Sequence, residues 1–291
     1  MIWFLLVITA VFFIVFETVL EKKTLSEART FDFAAMFAFA NAIILSPFLL
    51  VADLSKINWY VLGLIYAGSI VSTVSSLLIF KAMKHSAISE FAPILATLPL
   101  VVSLLAYLVL GEKMNWLQII GLFLMVTGVM FLEFKNFKSG NGIFKKGRKR
   151  YVFYILLCLI LGGVGAVFDK AILSRFDLGA LAYLAIIQIF IAFNYFIFIV
   201  FKPKLFSELR GSIPKFWKII LLISLFTVVH RYLYISAVKL AASVGLVVAV
   251  YRLSSLLNIF VGEKYFGETD ILKKIVATLI ILSGVFLLVI S

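Results

Sequence analysis

The sequence predicts an all-α integral membrane protein of ten transmembrane helices arranged as two inverted five-helix repeats. Three observations predict it. The 291 residues are 64% hydrophobic and 14% charged, with mean hydropathy +1.17, where an ordinary soluble domain is roughly 45–50% apolar. The apolar residues fall into ten runs of about 20, the length that crosses a bilayer. One stretch is also written twice: Gly111 to Glu133 returns 156 positions later as Gly267 to Val289, with the Gly-Glu opening, Ile119/Ile275, Gly128/Gly284, Val129/Val285 and Leu132/Leu288 in register. With a one-residue slip the match extends upstream, pairing Ala82-x-Lys84 with Ala237-x-Lys239, and further back Trp59 with Trp217.

The spans are placed at about 2–21, 32–52, 58–81, 87–109, 115–133, 151–173, 179–201, 215–236, 243–262 and 271–290. The runs are continuously apolar, without the alternation that barrel strands require. The first lacks a basic leader and a small-residue cleavage site, so it reads as a membrane helix and not a removed signal. Between the halves, 135–150 is a polar, glycine-containing linker with seven basic residues. The chain therefore divides into a first repeat (1–134), a basic linker (135–150) and a second repeat (151–291). With five helices per half, the second copy enters the membrane from the opposite face, which makes the repeats inverted.

The net charge of +13 does not point to nucleic acid, because the basic residues lie between apolar runs, where cytoplasmic loops and anionic headgroups explain them. The loops after the odd-numbered spans hold 20 Lys and Arg and those on the other side 5. This split predicts a multi-pass cell-membrane protein with a cytoplasmic linker and external termini. The single cysteine, Cys158, excludes an internal disulfide framework, and two histidines leave little for a metal cluster. No cofactor is expected. The sequence has no HExxH, no GxSxG, no paired aspartate-rich motif and no Cys/His couple, so it is read as a non-enzyme. The expected partners are a small-molecule substrate and membrane lipids, with the protein a monomer or homodimer.

Within the spans a few residues stand out. Arg252 lies near the middle of the ninth span, where a guanidinium normally faces a cavity or an acid. His230 and Arg231 add positive charge in the eighth, and Tyr232, Tyr234 and Tyr251 are candidates to line a pocket beside them. The intramembrane acids Glu17 and Glu90 either titrate and couple transport to protons, or pair with Lys22 or Lys84 at the interface. Asn41, Gln188 and Asn258 are mid-membrane amides that glue helices or touch substrate. Pro93 and Pro99 bend the fourth span. Gly162, Gly163 and Gly165 let a neighbouring helix approach closely. Gly111-Glu112 and Gly267-Glu268 form the same turn before the last helix of each half, where a carboxylate meets exposed amides and the positive end of the helix dipole.

The order and repetition of Gly111-Glu112-Lys113, Gly267-Glu268, the two Ala-x-Lys segments, Pro99 and the late glycines Gly128 and Gly284 resemble the drug/metabolite transporter superfamily, specifically its EamA-type ten-helix permeases. The resemblance covers essentially the whole chain. It implies secondary transport of a small metabolite by alternating access. Two features depart from the family pattern. Ser255 stands where the second half would repeat Pro99, which predicts a ninth helix straighter than the fourth, and the charge count points to external termini where family members have cytoplasmic ones. Arg252 suits an anionic or zwitterionic substrate. Two other readings stay open at the level of sequence: a structural ion pair of Arg252 with Glu17 or Glu90 in a carrier of neutral or cationic compounds, and a non-transporting scaffold or lipid-flipping protein.

Overall fold

The computed structural model describes residues 2–85, 95, 97–111, 115–139, 149–266, 276–277, 279–281, 283–284 and 286–287. Among these residues the chain is helical and forms no strand. The helices are α1 (Ile2–Glu27), α2 (Thr30–Leu45, continued by a 3-10 turn at Ser46–Leu50), α3 (Trp59–His85), α4 (Leu98–Leu110) and α5 (Trp116–Ser139) in the first half. The second half contributes α6 (Lys149–Arg175), α7 (Ala180–Phe201), α8 (Pro203–Leu240), α9 (Val244–Tyr251) and α10 (Leu253–Phe266). Six helical stretches are long and apolar enough to cross a membrane: Ile2–Glu27, Thr30–Leu50, Trp59–His85, Phe153–Arg175, Ala180–Phe201 and Pro203–Leu240. Their surfaces suit hydrocarbon: Phe12, Phe16, Phe153, Phe193 and Phe196 are exposed, while Glu17, Glu21, Asp32, Gln188 and His230 are buried.

The helix boundaries differ from the sequence expectation where proline and backbone capping intervene. Pro47 cannot donate into the helical ladder, and the second span finishes as a 3-10 turn. The eighth span begins a dozen residues early: α8 runs 38 residues from Pro203, straight through Pro214. The carbonyl that Pro214 leaves without a donor belongs to Arg210, an exposed residue whose backbone water can reach. At about 57 Å for 1.5 Å per residue, α8 outlasts the hydrocarbon, and its Lys- and Arg-rich start extends beyond it. Pro99 sits in the first turn of α4, where its missing N–H is not needed, while Pro93 lies outside the described residues.

The ninth span is interrupted, and the part of the fourth with which its straightness is compared lies outside the described residues. The helix stops at Tyr251 and resumes at Leu253, with Arg252 between them at φ −71°, ψ −5°. Its counterpart before α4 is Thr97 at φ −80°, ψ −5°. The absence of a second proline did not keep the helix continuous, because a cavity-facing backbone is free of the constraint that hydrocarbon places on lipid-facing helices.

At the end of α4, Gly111 takes φ +69°, a left-handed conformation that favours glycine, and its N–H returns to Ala106 O. The following helix, α5, is capped reciprocally. Asn115 Oδ1 accepts from Gln118 N at 2.9 Å and Gln118 Oε1 from Asn115 N at 3.1 Å. Glu112, Gly267 and Glu268, expected at the two turns, lie outside the described residues.

Small residues set the closest helix contacts. A Cβ at Gly163 would lie 2.8 Å from Val101 Cγ1 of α4, and one at Gly245 2.2 Å from Ser103 Oγ. Gly128 and Gly284 bring α5 against the last helical stretch. A Cβ at Gly128 would meet Ile281 at 2.6 Å and Ala277 O at 3.0 Å, and one at Gly284 would meet Gly121 O at 2.5 Å and Met125 Cγ at 2.8 Å. The strongest contacts gather helices of both halves into two groups, α1, α2 and α8 in one and α3, α4 and α6 in the other, with α7 and α9 packed against both. A cavity lies between the groups.

Candidate functional site: a charged cavity between the helix groups

The cavity has a volume of about 330 Å³ and is lined from α1, α2, α3, α4, α6, α7, α8 and α9. That is within the range of about 300–1,000 Å³ common for small-molecule sites. One wall is apolar, with Phe37, Ile79, Phe80, Leu98 and Leu161. The rest is heavily charged for a membrane interior: Glu17 and Glu21 from α1, Asp169 from α6, His230 and Arg231 from α8, and Arg252 from the break after α9.

The charges occupy distinct places. Glu17 and His230, both buried, face each other with Oε2 and Nδ1 2.6 Å apart, and Glu17 Oε1 accepts from Thr227 Oγ1 at 2.9 Å. One helical turn further along α1, Glu21 lines the same cavity, as do Asp169 and Arg231. Asp169 Oδ1 also accepts from Tyr183 Oη at 2.5 Å.

Arg252 stands apart from these acids. No described carboxylate pairs with it, its Nε has no hydrogen-bond partner among the described residues, and its guanidinium carbon lies 6.0 Å from the Tyr251 ring. Around it the wall is neutral and polar: Ser75 Oγ lies 3.2 Å from Cys158 Sγ, and Ser76 Oγ 3.1 Å from Tyr195 Oη. Tyr234 and Tyr251, with ring centroids 4.8 Å apart, line the cavity as well. Among the described residues the site therefore offers a guanidinium that no carboxylate pairs with, Arg252, together with the carboxyls of Glu21 and Asp169 and the guanidinium of Arg231.

Set against the sequence candidates, the structure gathers Arg252, Arg231, His230, Tyr251, Tyr234 and Glu17 around one cavity. Gln188 and Asn41 are buried but do not line it, and both amide atoms of Asn41 lack a partner among the described residues. Tyr232 is exposed on the outer surface, and Glu90 lies outside the described residues. Glu17 does not pair with Lys22, whose Nζ goes to Met83 O. Sequence reasoning missed Asp169 and the use of Glu21. Asp169 precedes Lys170 near the expected end of the sixth span and reads as an interfacial charge. The available signal was the repeated acid–lysine pair, Glu21-Lys22 and Asp169-Lys170, at matching places in the first helix of each half.

No curated protein matches the chain. A solved crystal structure aligns over 99% of this chain and 97% of its own, with a TM-score of 0.66 and 16% identity, a likeness that shows the fold alone. The model of the EamA-like transporter family matches residues 1–134. By that match the first half of the chain, residues 1–134, is similar to the EamA-like transporters, a family of the drug/metabolite transporter superfamily.

Proposed function

We propose that the protein is a secondary transporter that moves a small zwitterionic metabolite through the central cavity by alternating access between two inverted five-helix repeats, 1–134 and 151–291, joined by the linker 135–150. The observation that carries the substrate reading is Arg252, whose guanidinium pairs with no carboxylate among the described residues and whose Nε has no partner there, so that a ligand carboxylate satisfies it bidentately. The acids Glu21 and Asp169 face the same space and accept a cationic amine, and the apolar wall takes the remainder of the molecule.

Matched contacts support the inverted repeat. α1 packs on α8 as α3 packs on α6, α2 on α8 as α3 on α7, and α1 on α9 and α10 as α4 on α6. The glycine contacts exchange in the same way: Gly128 meets Ala277 and Ile281, and 156 positions on, Gly284 meets Gly121 and Met125.

Glu17 is the proton-coupling group in this reading, since its carboxyl faces His230 in the cavity wall within reach of an incoming ligand. Purified protein in liposomes, offered a panel of amino acids, organic anions, sugars and cations, is expected to carry zwitterions. Glu17→Gln is expected to retain exchange but no longer accumulate substrate along an imposed pH gradient. Transport of anions, sugars or cations alone would overturn the substrate assignment.

The linker is proposed to face the cytoplasm and the termini the exterior, following the 20-to-5 division of basic residues. Reporter fusions after Lys146 and at Ser291 read this directly. A linker outside with a C-terminus inside reverses the orientation.

A further inference from the structure

Each cavity-lining acid of the Glu21-Lys22 and Asp169-Lys170 pairs is followed by a lysine that leaves the cavity and crosses to the other helix group. Lys22 of α1 donates to Met83 O near the end of α3, and in return Lys84 of α3 donates to Ala28 O, just past the end of α1, at 2.6 Å. At the far end Lys170 of α6 donates to Val238 O at 3.0 Å and to Ala241 O at the end of α8. In return, Lys239 of α8 lies 2.9 Å from Asp177 Oδ1, just past the end of α6. The two crossings are similar devices in opposite halves: each joins two helices, one from each group, by a lysine of one donating to carbonyls at the end of the other, with the return tie made to Ala28 O in the first and to the Asp177 carboxylate in the second.

The chemistry suits a closure that opens. The last carbonyls of a helix have no intrahelical donor and carry the negative end of its dipole, so they bind an ammonium group favourably. All four lysines are only partly buried, so water replaces either partner when the helices part. The Lys170/Lys239 end carries one further tie, from Lys56 Nζ to Asp177 Oδ2 at 2.5 Å. Its two lysines hold the Asp177 carboxyl down at about 2, so that it stays ionised throughout the neutral range.

We propose that these crossed lysine pairs, Lys22/Lys84 and Lys170/Lys239, are the two gates of the cavity, formed together in this structure and released one at a time. The proposal rests on the transport reading above and adds the groups that close each end. Cys158, the one cysteine of the chain, lines the cavity and reports access to it without any introduced residue.

The test is the labelling rate of Cys158 by a small charged methanethiosulfonate, applied to one face at a time in sealed vesicles of known orientation. Cys158→Ser is the control for site. Loss of a charged hydrogen bond that favours closure is expected to raise the open population about tenfold. Lys170→Met should therefore speed labelling about tenfold from one face only, and Lys22→Met about tenfold from the opposite face only. Lys239→Met and Lys84→Met should repeat the two sides respectively, which keeps the test valid if one variant fails to fold. Labelling that increases from the same face for both pairs, from both faces for any variant, or for neither pair overturns the gates. The transport reading fails separately, if liposomes carry nothing from the panel while the sidedness of labelling still reverses.

Discussion

Arg252→Gln is expected to reduce flux of a zwitterionic substrate by about 100- to 1,000-fold while leaving yield and elution profile at wild-type values. Removing one partner of a buried charge pair costs about 2–5 kcal/mol, and each 1.4 kcal/mol is about tenfold. The folded protein should tolerate the change because, among the described residues, no carboxylate pairs with Arg252, its Nε has no partner, and Glu17 is held by His230 and Thr227. Arg252→Lys should also lose most of the flux, because an ammonium group keeps the charge but not the planar two-donor fork. Liposome uptake together with thermal melting in detergent separates binding from stability. Wild-type flux of every active substrate by Arg252→Gln would remove Arg252 from the site, and a collapse in melting temperature would mark it as structural.

Gly284→Leu is expected to cause the largest loss of stability in the chain, by about 3 kcal/mol or more. A Cβ at that position would lie 2.5 Å from Gly121 O and 3.0 Å from Met125 N, which are backbone atoms that cannot rotate away. The paired Gly128→Leu meets Ile281 and Ala277 O from the other side and should behave alike. Gly63→Ala is the control, since a Cβ there meets nothing within 4 Å. Apparent melting temperatures in detergent should fall sharply for the first two and stay near wild type for the third. Equal melting of Gly284→Leu and Gly63→Ala would show that the two helices do not depend on this crossing.

The sequence by itself determined the helical membrane class and pointed to the residues that bear charge inside it. In hydrocarbon every backbone polar group must be satisfied within the segment, so an apolar run of about 20 residues has few alternatives to a helix. For the same reason an arginine in mid-run marks an interior site, and Arg252, Arg231 and His230 were legible at once. Partnership was not legible. The meeting of Glu17 with His230, the gathering of Glu21, Asp169 and Arg231 around one cavity, and the crossing of Lys22 and Lys170 to carbonyls of other helices depend on which helical faces turn toward each other. That rotation is decided by packing, through close contacts such as Gly163 on Val101 and Gly245 on Ser103. Hydropathy is nearly blind to it, because lipid-facing and protein-facing surfaces of these helices are both apolar. The interruption at Arg252 belongs to the tertiary structure for a related reason: with no proline to announce it, the break exists where the backbone borders a polar cavity instead of lipid.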